Sequence, residues 1–144
     1  MNPSTDITPY LFFGGRCHEA LSFYESALGA KVEMIATFDQ SQVSHPDHPL
    51  PEGWEKKVMH ATLRIGSSTV FVSDGNKPCE LSGFMLHLPV KDQAEGDRVF
   101  AALSAQGEVI MPMEKTFWSP YYGMLVDKFG LGWMISVYDF PTEG

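Results

Sequence analysis

Two histidines, His60 and His87, are the residues best suited to acid/base chemistry, because an imidazole exchanges its proton near neutral pH. Each lies in an alternating apolar run, where a hydrogen-bonded structural role competes with a catalytic one. A metal centre using both would also need a carboxylate partner, and the sequence names none. Arg64, in the same run as His60, is either a guanidinium for an anionic group or a solvated strand end. His45-Pro-Asp-His48 has metal-ligating residue types, but its prolines and lack of partners read as a solvated loop. His18 falls in a first helical turn and is expected to be exposed. Cys17 and Cys79 are far apart without CxxC spacing, which fits buried or incidental thiols rather than a disulfide or metal pair. No P-loop, Ser-His-Asp order or paired-carboxylate spacing rises above chance.

The elements that must position these side chains follow from periodicity. Ile7 to Phe13 is a short strand ended by Gly14-Gly15, and Cys17 to Leu28 repeats apolar residues at helical spacing up to a stop at Gly29. Lys31 to Phe38 alternates as a second strand. Asp39 to Lys56 then loses all periodicity and reads as a long loop or flap. Val58 to Ile65 and Thr69 to Ser73 form a hairpin, and Asp74 to Pro78 is a link. The pattern restarts with a strand from Phe84 to Val90, a helix from Asp92 to Gln106 stopped by Gly107, and a strand from Glu108 to Thr116. It closes on a hairpin around Asp127-Lys-Phe-Gly130. The halves align as a repeat, Ala27 to Met34 matching Ala105 to Met111 and Leu63 matching Leu125, once the long loop is treated as an insertion. The expectation is one α+β domain over residues 1–144, built as β-α-β-β-β twice, with repeats at about 5–75 and 80–139.

Parity assigns the faces. If Leu63, Val70, Val72, Leu86, Leu88, Trp133 and Ile135 pack beneath the helices, the opposite face carries His60, Thr62, Arg64, Thr69, Phe71, Ser73, Met85, His87, Tyr122, Met124, Met134 and Ser136. That lining suits a ligand with an aromatic or apolar body and one anionic or hydrogen-bonding end. Phe117 and Trp118, just before Pro120, either wall such a pocket or pack a dimer.

A formal charge of −8 and only ten Lys and Arg argue against a nucleic-acid groove. No apolar run approaches the roughly 20 residues of a membrane span, and Met1-Asn-Pro-Ser lacks signal-peptide character, so a cytoplasmic location is expected.

The repeat order, with Thr8-Pro-Tyr-Leu-Phe-Phe-Gly-Gly15, Glu19-Ala-Leu-Ser-Phe-Tyr24, Gly83-Phe84, Thr116-Phe-Trp118 and Asp127-Lys-Phe-Gly-Leu-Gly-Trp-Met-Ile135, closely resembles the PhnB-like branch of the glyoxalase/bleomycin-resistance/dioxygenase superfamily, also called vicinal oxygen chelate proteins. The resemblance covers nearly the whole chain. It implies paired βαβββ sheets curved around a cavity, as a homodimer. Such sequences also carry a demethylubiquinone methyltransferase label, which no Gly-rich strand-to-helix turn supports in this chain. Positions implied for the superfamily's metal ligands fall on Pro9, Phe71, Met85 or Phe84, and Met134, none of which offers the oxygen or nitrogen of a His, Glu or Gln. No metal or cofactor is therefore expected.

Three readings stand open: a metal-independent small-molecule binding protein, with His60, Arg64, Phe71, Met85, His87, Trp118, Tyr122 and Met134 at the site; a metal- or His-dependent lyase, isomerase or dioxygenase-like enzyme using His60 and His87; and an assembly module whose aromatic surface serves only a dimer.

Overall fold

The computed structural model describes residues 7–40 and 50–137, which form two compact units, residues 1–80 and 81–144. His45-Pro-Asp-His48 lies outside the described residues.

In the first unit, β1 (Tyr10–Phe12), β2 (Lys31–Thr37), β3 (Val58–Ile65) and β4 (Ser68–Ser73) form a four-stranded sheet in the order β1-β4-β3-β2, with β1 parallel to β4. Helix α1 (Cys17–Leu28) buries Cys17, Ala20, Leu21, Tyr24 and Ala27, the stripe expected from the 3.6-residue period. The sheet answers with Leu11, Val58, Ala61, Leu63, Val70 and Val72, all buried. The sequence passes over the residue that ties this unit together. Asp74 is fully buried, and its carboxylate accepts the backbone N–H groups of Gly15, Cys17 and Val58, each at 2.8 Å. One side chain thus fixes the turn after β1, the start of α1 and the start of β3. Burial, with the Asp74 charge second, pushes the Cys17 thiol well above its ordinary pKa, so it is an inert core thiol.

The described ends of the long segment after β2 are hydrogen-bonded. A single 3-10 turn (Phe38–Gln40) follows β2, and Asp39 N–H donates to Glu55 O at 2.9 Å. Trp54 is buried, with its indole N–H on Gly75 O at 2.8 Å, and Lys57 Nζ reaches Gly15 O at 2.8 Å. The two ends of the expected flap are tied to each other through Asp39 and Glu55, and the second end is tied to the body of the unit through Trp54; residues 41–49 lie outside the description.

In the second unit, β5 (Met85–Val90), β6 (Glu108–Glu114), β7 (Tyr121–Val126) and β8 (Gly132–Val137) repeat the arrangement in the order β5-β8-β7-β6, with β5 parallel to β8. Helix α2 (Gln93–Ser104) starts at Asp92, whose carboxylate accepts Glu95 N–H at 2.8 Å. It packs over Gly123, where an added Cβ would stand 2.8 Å from Phe100 and 2.6 Å from the Met113 sulfur, so only glycine admits the helix this closely. Asp127 closes the final turn by accepting Phe129 and Leu131 N–H and the indole N–H of Trp133.

Gly107 does not stop α2. The left-handed residue there is Gln106, at φ 61°, the counterpart of Gly29 at φ 66° after α1. Gly107 is glycine for a different reason: an added Cβ would sit 2.3 Å from Val126 O. The repeat alignment therefore shifts by one residue at this point. Each half then carries a bulge at the same place, between Val32 and Met34 in β2 and between Val109 and Met111 in β6.

Candidate functional site

Each helix covers one face of its own sheet, so the opposite face of each sheet is the candidate surface. In the first unit that face holds the aligned row Met34, Thr62, Phe71 and Tyr10, one residue from each strand. Around the row the rings of Tyr10, Phe12, His60 and Phe71 touch. Tyr10 stacks on Phe12 at 5.0 Å and meets Phe71 edge-on at 5.9 Å, and His60 lies 5.1 Å from Phe71. Tyr10 and Phe12 remain 43% and 45% exposed, which makes them a platform and not a core. The Tyr10 hydroxyl is 2.9 Å from His60 Nδ1. Burial raises the phenol above its ordinary pKa, only partly offset by a hydrogen bond with Ser73, so at neutral pH its O–H is intact and can donate to that nitrogen. The adjoining row is cationic, Lys31 opposite Arg64 and Arg64 opposite Thr69. Arg64 is not simply solvated there, because it pairs with the Glu33 carboxylate from the bulge.

In the second unit the matching row is Met111, Met124, Met134 and His87. His87 is exposed, with Nε2 2.6 Å from Ser136 Oγ. Met85 lies over Gly132, where an added Cβ would be 2.9 Å from its Cγ. Tyr122 shares this face but is only 6% exposed, and burial raises its phenol pKa. Part of its cover is Trp118, edge-on at 5.3 Å; Trp118 in turn meets Phe117 at 4.6 Å. Those two rings stand 56% and 96% exposed.

The expected site residues therefore divide. His60, Arg64 and Phe71 gather on the first sheet; Met85, His87, Tyr122 and Met134 gather on the second, with Trp118 beside Tyr122. Ser73, Tyr122 and Ser136 have the expected parity but are buried, so their share of any lining is small. Tyr10, Phe12, Lys31, Met34 and Met111 escape sequence reasoning because membership in these rows depends on register across strands. His18 is exposed, as expected, and its Nε2–H donates to Lys56 O at 2.9 Å.

Two of the positions matched to the superfamily's metal ligands shift. Leu11 is buried against the helix side, so Tyr10, not Pro9, presents the open face of β1, in register with Phe71. On β5 the residue in register with Met134 is His87, not Met85. The positions become a phenol and a phenyl on the first sheet and an imidazole and a thioether on the second, and neither pair suits a borderline or hard divalent ion. Among the described residues no group of three or more His, Cys, Asp and Glu is placed to hold one.

A βαβββ unit used twice, each with a helix-free sheet face, is the glyoxalase/bleomycin-resistance fold. The fosfomycin resistance protein FosX of Mesorhizobium loti shares it, with a TM-score of 0.63 over 96% of this chain and 95% of that one at 14% identity. Over residues 5–136 the chain matches the family described as 3-demethylubiquinone-9 3-methyltransferase, and it belongs to that PhnB-like family. It is 35% identical to protein YjdN of Escherichia coli, covering 91% of this chain and 94% of that one. Protein PA1353 of Pseudomonas aeruginosa superposes with a TM-score of 0.80 at 39% identity, over 93% and 98% of the two chains. A PhnB protein of Bacillus cereus, described as a putative 3-demethylubiquinone-9 3-methyltransferase, superposes with a TM-score of 0.77 at 25% identity, over 93% and 100%. No helix among the described residues is long and apolar enough to cross a membrane.

Proposed function

We propose that the protein binds a small molecule with a flat aromatic body and one anionic end, without using the superfamily's divalent metal. The observation that carries this is the half-exposed ring platform of Tyr10, Phe12, His60 and Phe71 beside the cationic row of Lys31 and Arg64. Stacking on the rings supplies contact area, and the cations select the anionic end. Methyl transfer is not assigned. The described residues form two mixed four-stranded sheets, whereas a nucleotide-type methyl donor is held by a Gly-rich turn in a parallel βαβ sheet.

An aryl sulfonate such as 8-anilino-1-naphthalenesulfonate tests the reading. Saturable one-to-one fluorescence binding is expected, weakened about tenfold by Phe71→Ala and weakened, with a reduced salt dependence, by Arg64→Met. Binding that fails to saturate, or that ignores both substitutions at unchanged melting temperature, would sink it.

A second reading has a specific basis in the Tyr10–His60 hydrogen bond, which orients an imidazole as an acid/base group would require. It expects solvent deuterium to enter a panel of small aldehydes and ketones in the presence of the protein, and His60→Gln to abolish that incorporation.

The reading also includes a homodimer, supported by the exposed Phe117 and Trp118 rings. Trp118→Ala should weaken self-association by roughly 2 kcal/mol. A monomer at micromolar concentration in sedimentation equilibrium would remove this part.

A further inference from the structure

We propose that the helix-free face of the second sheet binds a soft monovalent cation, Cu(I), through the thioethers of Met111, Met124 and Met134. These three residues occupy directly opposed positions on three consecutive strands, β6, β7 and β8. Adjacent strands lie about 4.8 Å apart, so the outer two methionines stand about 10 Å apart across the row, and the flexible side chains can bring three sulfurs to one point above Met124. All three are half-buried, neither sealed in the core nor fully in water. His87 ends the row on β5, with Ser136 fixing its ring through Nε2.

The choice of ion follows from donor softness. Thioethers select Cu(I) and are poor ligands for magnesium, manganese or zinc. Charge on the face agrees. Glu108 and Glu114 occupy the β6 ends of the two flanking rows, opposite Val126 and Tyr122, and no Lys or Arg holds a register position on this face among the described residues. A row of methionines can also serve as an adaptable apolar surface, and that alternative is an outcome of the test. The methionine row belongs to the second sheet and the aryl-anion platform to the first.

The test uses the full chain carrying Cys79→Ser, since Cys79 is an exposed thiol that would itself take Cu(I). Under anaerobic conditions the protein is titrated against the Cu(I)–bicinchoninate complex, with methionine methyl groups labelled for NMR. The expected result is withdrawal of one equivalent of Cu(I), with shifts confined to Met111, Met124, Met134 and their neighbour Met85, and no response to Zn(II). Met124→Leu/Met134→Leu should lower the affinity at least tenfold with aryl sulfonate binding unchanged. If that double variant fails to fold, Met111→Leu on the edge strand gives the same reading with a smaller loss. No withdrawal, equal withdrawal by the leucine variants, shifts at other methionines, or binding only in chains that retain Cys79 would each overturn the proposal.

Discussion

The two halves of the molecule build the same row on the same scaffold and fill it with different chemistry. Met34, Thr62, Phe71 and Tyr10 in the first half stand where Met111, Met124, Met134 and His87 stand in the second. The flanking rows differ in charge: Lys31 and the Glu33-paired Arg64 on one side, Glu108 opposite the apolar Val126 on the other. Backbone register is therefore the repeated quantity, and side-chain chemistry on the helix-free face varies independently of it. Each half also depends on one buried aspartate, but at different places. Asp74 ties β1, α1 and β3 together, whereas Asp127 closes one turn and holds one indole.

The sharpest break of that comparison is at the aspartates. Each substitution leaves three N–H groups without an acceptor, but those of Asp74 belong to three separate elements and those of Asp127 to one turn and its following strand, so Asp74→Ala should cost roughly 3 kcal/mol or more, against about 1 to 3 kcal/mol for Asp127→Ala. Urea unfolding of both variants is the measurement, and a larger loss at Asp127 would reverse the assigned roles. Next comes Gly123, which stands where the first half has Ala61. Gly123→Ala should destabilise by about 1 to 3 kcal/mol through overpacking on Phe100 and Met113, while Ala61→Gly should cost about 1 kcal/mol from lost methyl contacts and added chain freedom. Equal effects at the two sites would mean that α1 and α2 approach their sheets alike.

A smaller effect is expected at the Tyr10–His60 pair. Tyr10→Phe removes one hydrogen bond on a half-exposed platform and should cost about 0.5 to 1.5 kcal/mol, with the ring contacts retained. A loss as large as that of Asp74→Ala would show that the phenol is a core element of its unit. The smallest effect belongs to the exposed Lys56–Asp39 pair, 2.5 Å apart. The hydrogen bond to Lys56, then that to Thr37, holds the Asp39 carboxyl below its ordinary pKa, and the same bond raises Lys56. The Asp39 contribution is present above the ordinary carboxylate range and fades as pH falls through the lowered value. The Lys56 contribution is present below the ordinary lysine range and fades as pH rises through the raised value. Lys56→Met should flatten both limbs of a melting-temperature profile slightly; a large change at pH 7 would contradict the exposed setting.

The helices and most strands were legible because burial imposes a period on the chain, and the Cys17–Leu28 helix is the plainest case. The bulges beside Glu33 and Ile110 were not, since one extra residue in an edge strand leaves its apolar character intact while changing which residue opposes which. That hid Met34 and Met111 from the candidate rows. Parity also assigns a face without assigning exposure, so Ser73, Tyr122 and Ser136 were read as lining although neighbouring groups cover them. Trp54 shows the converse: a tryptophan in an aperiodic, proline-rich stretch reads as loop, yet its indole finds both a carbonyl and a buried seat.

The matched bulges bear on how the chain avoids sticking to itself. Both fall in outermost strands, β2 and β6, whose free backbone edges would otherwise template pairing with another chain. β6 adds Pro112, which has no N–H to offer, inside its second irregularity. A continuous sheet running from molecule to molecule through these edges is thus obstructed at the same point in each half.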